Sequence, residues 1–412
     1  MSDMNKTPSS NRVHIALFGK RNVGKSSLIN AITNQNLAIV SDYAGTTTDP
    51  VYKAMEILPL GPVVIIDTAG IDDIGALGEL RVNKTLEVIN KTDIALIVIG
   101  EDAPGEFEDK IITLLKKKKT PFIIVFNKSD ISSNYTNYKE KFILENFPVV
   151  SVSANKKHNI DTLKKILIEK SPTEFEQPTI IGDLINPGDS VVLVIPIDTG
   201  MPKGRLILPQ VQTMRDILDR DAMFYAVKER ELAYALDNMK TKPKLVITDS
   251  QAFSKVSADT PEDILLTSFS ILFARQKGDL LKLVNGAKKL RDLKSGSKIL
   301  ISEACTHHQQ SDDIGKVKLP RWIREHINDN ITFDFVSGRE YPSNLKEYDL
   351  VLHCGGCMIN RKEMLSRIEV SEEQGVPVIN YGVAIALIHG ILDRALKPFP
   401  EVYDIWCEEE NI

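Results

Sequence analysis

Apolar residues in this chain fall into two patterns. Short, almost unbroken runs, VHIALFG (13–19), VVIIDTAG (63–70), FIIVFNKSD (122–130) and VVSVSAN (149–155), each stop at a polar or glycine-bearing corner. Runs of that length and continuity predict strands buried on both faces, as in a parallel sheet. Between them lie segments such as SLINAITN (27–34) and NIDTLKKILIEKSP (159–172), whose apolar spacing predicts helices. The pattern then shifts. Pro172, Pro178 and Pro187, with Gly182 and Gly188, mark a linker after residue 171. Beyond it, DSVVLVIPIDTGMPKGRLILPQVQTMRDILDRD (189–221) reads as strand, loop and helix, ERELAYALDNMK (229–240) as an amphipathic helix and PKLVITDSQAF (243–253) as a strand. A last block repeats strand and helix: SKILISEAC (297–305), ITFDFVSG (331–338), YDLVLHCGG (348–356) and VPVINYG (376–382), with NRKEMLSRIEVSEEQG (360–375) the clearest helix. The expectation is an α/β chain of three domains: a flexible N-terminus at 1–10, a domain at 11–171 with a mostly parallel sheet, an α/β pairing domain at 172–263 and a parallel α/β domain at 264–412.

The corners after the first strands carry chemistry. GKRNVGKSS, Gly19 to Ser27, fits the phosphate-loop pattern in full. Gly19 and Gly24 let the backbone turn its N–H groups, with those of Asn22, Val23 and Ser27, towards nucleotide phosphates. Lys25 reaches the β and γ oxygens, and Ser26 offers a hydroxyl to Mg²⁺. Asp67 ends the next strand as a carboxylate suited to a position near that magnesium, and Gly70 can bring its N–H to a γ-phosphate. Asn127, Lys128 and Asp130 follow a third strand. Asp130 can accept from N1–H and the 2-amino group of guanine while Lys128 covers the ring, and adenine has no such pair of donors, so the nucleotide is expected to be GTP. Ser153 and Ala154 form the loop beneath the base. Lys25, Thr47, Asp67 and Gly70 are the expected catalytic residues.

Metal-type residues collect near the C-terminus. The first 304 residues hold no cysteine; Cys305 and His307 then follow one predicted strand, and His353, Cys354 and Cys357 follow another. In a parallel sheet both strand ends lie on one edge, so these distant pieces can meet. Spacing alone leaves structural zinc by three cysteines and one histidine and an iron–sulfur cluster as equals, with a CxxC redox pair less favoured. Cys407 reads as a tail residue, with a fourth ligand as the minor alternative. The middle block has no cluster of catalytic residue types and reads as an oligomerisation domain, with a small ligand-binding domain as the minor alternative.

Composition narrows the classes. A chain of 412 residues is too long for one ordinary core, and four cysteines in it do not make a disulfide framework. The formal net charge of −5, with Lys and Arg dispersed, argues against a nucleic-acid partner. No apolar stretch approaches a bilayer span and the N-terminal MSDMNKTPSSNRVH has no leader-like core, so a cytoplasmic protein with no membrane partner is expected.

Two resemblances add to this. DYAGTTTDP (42–50) is similar by position to the switch of the TrmE and Era group of GTPases. That implies Thr47 as a further Mg²⁺ ligand, with Thr46 and Thr48 as rivals, and Asn22 as the residue that holds an activating K⁺. Ile71 stands where Ras-like enzymes carry a water-orienting glutamine, so hydrolysis should be slow. The whole constellation, with VIPIDTGMPKGRLILPQVQTMRDILD, C-x-H and HCxxC, resembles the FeFe-hydrogenase maturation GTPases known as HydF. The resemblance implies a GTPase domain, a dimerisation domain giving a homodimer, and a four-iron four-sulfur (4Fe-4S) cluster on Cys305, Cys354 and Cys357, with His307 and His353 as candidates for a fourth ligand or a supporting role. It also implies a scaffold that receives a di-iron precursor bearing CO, cyanide and dithiolate ligands and passes it to the FeFe-hydrogenase apoprotein, alongside the other hydrogenase maturases. The rival readings are an RNA-related GTPase of the Era or TrmE kind with a zinc site, and a GTP-gated interaction protein with redox-sensing thiols.

Overall fold

The computed structural model describes residues 7–33, 50–68, 78–131, 136–172, 178–197, 206–304, 313–338, 341–342 and 344–408. They form two compact units, Met1–Glu176 and Gln177–Ile412, each with its own core.

The first unit is a six-stranded sheet built from β1 (Val13–Phe18), β2 (Val51–Ile57), β3 (Gly61–Asp67), β4 (Ile94–Ile99), β5 (Phe122–Phe126) and β6 (Val149–Ser151), in the order β2-β3-β1-β4-β5-β6. All neighbours pair in parallel except β2, which runs antiparallel to β3 on the edge. Burial on both faces accounts for the apolar runs. Alternate residues of β1 enter different cores: Ile15 and Leu17 pack with Leu28, Ile29 and Leu163, while Ala16 and Phe18 pack with Ile89, Leu115 and Phe142. Two strands lie outside the four that the sequence reading named. β2 is an edge strand of mixed, partly exposed residues, and β4 is fully buried but ends without a nucleotide-binding motif. The parallel strands β1, β3 and β5 all end on one edge, and the motifs sit there.

The second unit holds two four-stranded sheets, each wholly parallel. One comprises β7 (Ser190–Val194), β8 (Met223–Val227), β9 (Leu245–Thr248) and β10 (Leu265–Ser268) in the order β10-β9-β7-β8. The other comprises β11 (Lys298–Glu303), β12 (Thr332–Ser337), β13 (Leu350–His353) and β14 (Val378–Asn380) in the order β12-β11-β13-β14. The alternation of strand and helix read from the sequence becomes this pair of parallel sheets. One apolar core runs through both, from Ile180 to Trp406, and it takes in Ile180, Ile181 and Ile185 of the stretch expected to be linker. The helix Phe269–Lys277 joins the layers: it follows β10, and it packs on Leu208–Leu218 of the first sheet's layer and on Arg361–Glu373 and Tyr381–Ile388 of the second's. Polar stitches accompany this packing. Thr267 Oγ1 donates to Ala395 O at 3.1 Å, and Asn380 Nδ2 donates to Ser270 O at 3.1 Å. No described helix is long and apolar enough to cross a membrane.

In the helix Leu280–Arg291, Gly286 lies so near β14 that a Cβ there would overlap the Val378 carbonyl. Alanine in a helix interior gains about 1 kcal/mol over glycine, whereas forcing an atom into a packed contact costs about 1–3 kcal/mol. Gly286→Ala should therefore lower the urea midpoint of the C-terminal unit in the full chain. An unchanged or raised midpoint would show that helix and strand can separate freely.

Candidate functional site

The phosphate loop leaves β1 and opens the helix Lys25–Thr33. Asn22 takes φ +65°, a left-handed conformation that asparagine tolerates better than most residues, and its side chain is exposed. Gly24 has φ +91°, and a Cβ there would run into Nδ2 of Asn127, so this position needs glycine for both conformation and space. Val23 is buried. Lys25 is buried too, with its ammonium turned to the carbonyls of Gly19 and Lys20 at the mouth of the loop. Ser26 Oγ donates to Oδ2 of Asp67 at 2.9 Å, so the two residues expected to share a magnesium ion are already adjacent. Ser27 is exposed on the first turn of the helix.

Asn127 connects the two ends of the site. Its Nδ2 donates to Val23 O at 2.9 Å in the phosphate loop, while its Oδ1 accepts from Ala154 N at 3.1 Å in the loop expected beneath the base. A fully buried amide with both ends bonded in this way holds phosphate loop and base loop at a fixed separation. Asp130 is exposed, and the Ser153 hydroxyl, opposed by desolvation and aided by its own backbone N–H and by Lys156, keeps its carboxyl below the usual carboxylate range. Asp130 is thus ionised and oriented as an acceptor. Lys128 takes φ +62° and pairs with Glu101 at 2.8 Å. Sequence reasoning missed Thr68, whose buried hydroxyl donates to Leu17 O at 2.6 Å and ties the end of β3 to β1; the threonine of DTAG is the signal that could have found it. Thr46, Thr47, Thr48, Gly70 and Ile71 lie outside the described residues.

The second constellation lies at the C-terminal edge of the β11–β14 sheet. β11 and β13 are adjacent and parallel, so Ala304 and Cys354 emerge side by side. Sγ of Cys354 accepts from Ala304 N at 3.2 Å and from Gly356 N at 3.4 Å. Burial pushes the Cys354 thiol up, and those two N–H groups oppose it by favouring the thiolate. Gly356 takes φ +60°, which closes the CGGC turn and carries it on to Cys357. Cys305 and His307 lie outside the described residues, although Cys305 follows directly on Ala304 in sequence. Among the described residues no group of three or more His, Cys, Asp or Glu side chains converges as a metal site.

His353 is only 1 % exposed. Its Nε2 lies 3.2 Å from Nη1 of Arg367 and its Nδ1 lies 2.7 Å from Cys354 O. A guanidinium only donates, so Nε2 is the acceptor and Nδ1–H donates to the carbonyl. Burial and the Arg367 charge lower its pKa to about 3, against the pull of that carbonyl. Both ring nitrogens are thus engaged, one by Arg367 and the other by the Cys354 carbonyl. Cys407 lies on the helix Pro400–Glu408, whose main neighbours are Leu280–Arg291 and Leu392–Leu396.

Three groups beside the turn had escaped the sequence reading. Arg367 also bonds Glu363 at 2.9 Å. Glu303, buried at the end of β11, is held by Tyr381 Oη at 3.3 Å and Ser337 Oγ at 3.4 Å. Lys277, 4 % exposed, donates to Gly356 O at 3.2 Å, Cys357 O at 3.1 Å and Ile359 O at 3.0 Å. Burial lowers its pKa to about 8, with Cys357 and Cys354 opposing the shift. Nothing in FSILFARQK, which also carries Arg275 and Gln276, sets this lysine apart in sequence.

The first unit's sheet and motif order define a guanine-nucleotide-binding P-loop protein, here continued into an α/β unit with a cysteine-bearing edge. Residues 14–128 match the family model described as 50S ribosome-binding GTPase, residues 180–278 that of the hydrogen maturase F dimerization domain, and residues 281–398 that of the hydrogen maturase F tetramerization domain. The two maturase matches together cover more than half of the chain, and the chain belongs to the hydrogen maturase F (HydF) family. The chain is 38% identical over 198 residues to GTPase Der of Wolinella succinogenes, covering 44% of this chain and 42% of that one. It is 39% identical over 154 residues to the tRNA modification GTPase MnmE of Desulforamulus reducens, covering 37% and 33%. It thus spans less than half the length of these curated relatives. A solved structure of an Era variant of Aquifex aeolicus bound to GDP·AlF4⁻ is similar at 22% identity and a TM-score of 0.34, over 52% of this chain and 92% of that one.

The geometry at Asp130 gives a direct test of base choice. Asp130→Asn replaces an acceptor-only carboxylate with an amide whose NH₂ matches the 2-oxo group of xanthine. Competition binding should show preference moving from guanosine to xanthosine nucleotides. Retained preference for GTP would take Asp130 out of the base site.

Proposed function

We propose that this chain is a GTP-hydrolysing scaffold and carrier in hydrogenase maturation. In this reading it accepts a di-iron precursor with CO, cyanide and dithiolate ligands, and delivers it to apo-FeFe-hydrogenase in concert with the other maturases. The observation that carries the reading is the pairing of Cys354 Sγ with the N–H groups of Ala304 and Gly356, in a chain of the hydrogen maturase F family. N–H donors to sulfur at a parallel-sheet edge suit a thiolate that ligates a cluster, and the donor set of Cys305, Cys354 and Cys357 fits three corners of a 4Fe-4S cubane. When bound, such a cluster supplies one iron without an obligatory protein thiolate, open to an exchangeable ligand. The engagement of both His353 nitrogens favours His307, or a ligand from the cargo, at that corner.

In the nucleotide unit, Lys25 would draw charge from the β and γ oxygens, Ser26, Thr47 and Asp67 would hold Mg²⁺, and Gly70 is the residue whose N–H would meet the γ-phosphate. With Ile71 in place of a glutamine, the chain has no side chain there to orient water, so turnover is slow. Asn22, exposed and with φ +65°, is the residue that would hold K⁺, a role supported by the TrmE-like pattern of the loop. Homodimerisation draws support from the dimerization-domain match and from the edge strand β8, which leaves Met223 54% and Tyr225 48% exposed.

Two experiments test the reading. Anaerobically purified protein should be brown, contain iron and sulfide and give a reduced-cluster EPR signal; Cys305→Ala, Cys354→Ala and Cys357→Ala should each impair assembly while Cys407→Ala should not. Colourless protein with one zinc would instead favour the RNA-related GTPase. GTP hydrolysis should be faster in potassium than in sodium, with the difference abolished in Asn22→Ala. Equal rates in the two salts would remove the cation from the mechanism.

A further inference from the structure

The second unit contains a reciprocal clasp at the seam between the two maturase matches. Lys277 ends the helix Phe269–Lys277, within the dimerization match, and reaches into the CGGC turn of the tetramerization match. There its Nζ meets three carbonyls, of Gly356, Cys357 and Ile359, at 3.0–3.2 Å. Arg361 opens the helix that follows the turn and reaches back to the carbonyls of Gln276 and, at 3.0 Å, Gly278. Each cation therefore serves the backbone on the far side of the seam.

The three acceptors fix the state of the lysine. Only an ammonium has three N–H bonds to give, and here each has its own carbonyl, none from the helix that carries it. A neutral amine has only two to give, and a side chain with no N–H would withdraw this donor from all three carbonyls, leaving Gly356 O the N–H of Ile359. One of the three acceptors is the carbonyl of Cys357 itself, so the lysine lies against the cysteine turn. A ligand turn needs its backbone fixed before its sulfurs can face one centre, and a cluster bound by three thiolates carries negative charge that a buried cation offsets.

We infer that Lys277 is a positioning residue of the cysteine turn, supplied by the dimerization module to hold the CGGC backbone in ligating geometry and to set the electrostatic environment of the sulfurs. The inference rests on the cluster reading above. It adds that the cysteine edge is incomplete without a side chain from the preceding module.

The test compares wild type with Lys277→Arg, Lys277→Gln and Lys277→Met in the full chain, after anaerobic reconstitution with iron and sulfide. Far-UV circular dichroism and native mass report whether each variant folds and assembles. Folded Met and Gln variants should retain iron about 10- to 100-fold less well against a chelator, the range for losing a partner of a metal ligand. Any cluster they keep should have a more negative midpoint potential. Arg, which keeps the charge but not the three-point fit, should release iron faster than wild type with little change in potential. Wild-type retention and potential in the Met and Gln variants would overturn the inference, and so would failure of all three variants to fold, which would make Lys277 a fixture of the fold. Wild-type protein without iron would instead remove the scaffold reading and this inference together.

Discussion

Parallel strand pairing is the constraint from which the rest of this molecule follows. A strand buried on both faces must be apolar along its length, so polar chemistry is pushed to its ends, and parallel pairing brings those ends to a common edge. In the first unit the edge receives the phosphate loop, Asp67 and Asn127 from β1, β3 and β5. In the third sheet it receives Ala304 and Cys354 from β11 and β13. Residues tens of positions apart thereby become neighbours, as Ser26 and Asp67 do at 2.9 Å.

Such an edge is polar yet largely buried, and each group drawn into it needs a partner because an unsatisfied buried donor or acceptor costs about 1–3 kcal/mol. The same solution recurs in both units: one side chain with several hydrogen-bonding atoms spans two segments. Asn127 does this between phosphate loop and base loop, Arg367 between His353 and Glu363, and Lys277 between helix and cysteine turn. Bridges of this kind stabilise the edge and also fix its geometry, since their atoms can satisfy all partners in only a narrow range of positions.

Much of the fold was legible because the signals were local. Continuous apolar runs gave β1, β3, β5, β7, β9, β11 and β13, and a pattern as specific as GKRNVGKSS needs no tertiary information to be assigned. β2 was illegible because an edge strand with one partner can mix polar and apolar residues without penalty. Ile180 and Ile185, among prolines and glycines, read as linker; only the tertiary core reveals that their side chains are buried. The cysteine edge was half legible. Cys354 and Cys357 announce themselves by type and spacing, whereas Lys277, Glu303 and Arg367 are common charged residues whose meaning comes from burial, and burial of a single residue on a helix or strand end is set by packing partners distant in sequence. His353 reads in sequence as a fourth ligand or a supporting residue, and only the structure shows its contacts to Arg367 and to the Cys354 carbonyl.

The single core of the second unit bears on how its two family modules relate. Two modules with separate cores would let an oligomer interface and a cysteine edge vary independently. Here apolar packing is continuous from Ile180 to Trp406, and the helix Phe269–Lys277 touches both sheet layers before placing its last side chain under the cysteine turn. Local opening of that helix would expose apolar surface on both sides at once and release three carbonyls of the turn, so it carries a cost drawn from both layers. The stretches Phe269–Lys277 and Arg361–Glu373 are thus joined twice, by side-chain packing and by the contacts of Lys277 and Arg361 to backbone across the seam.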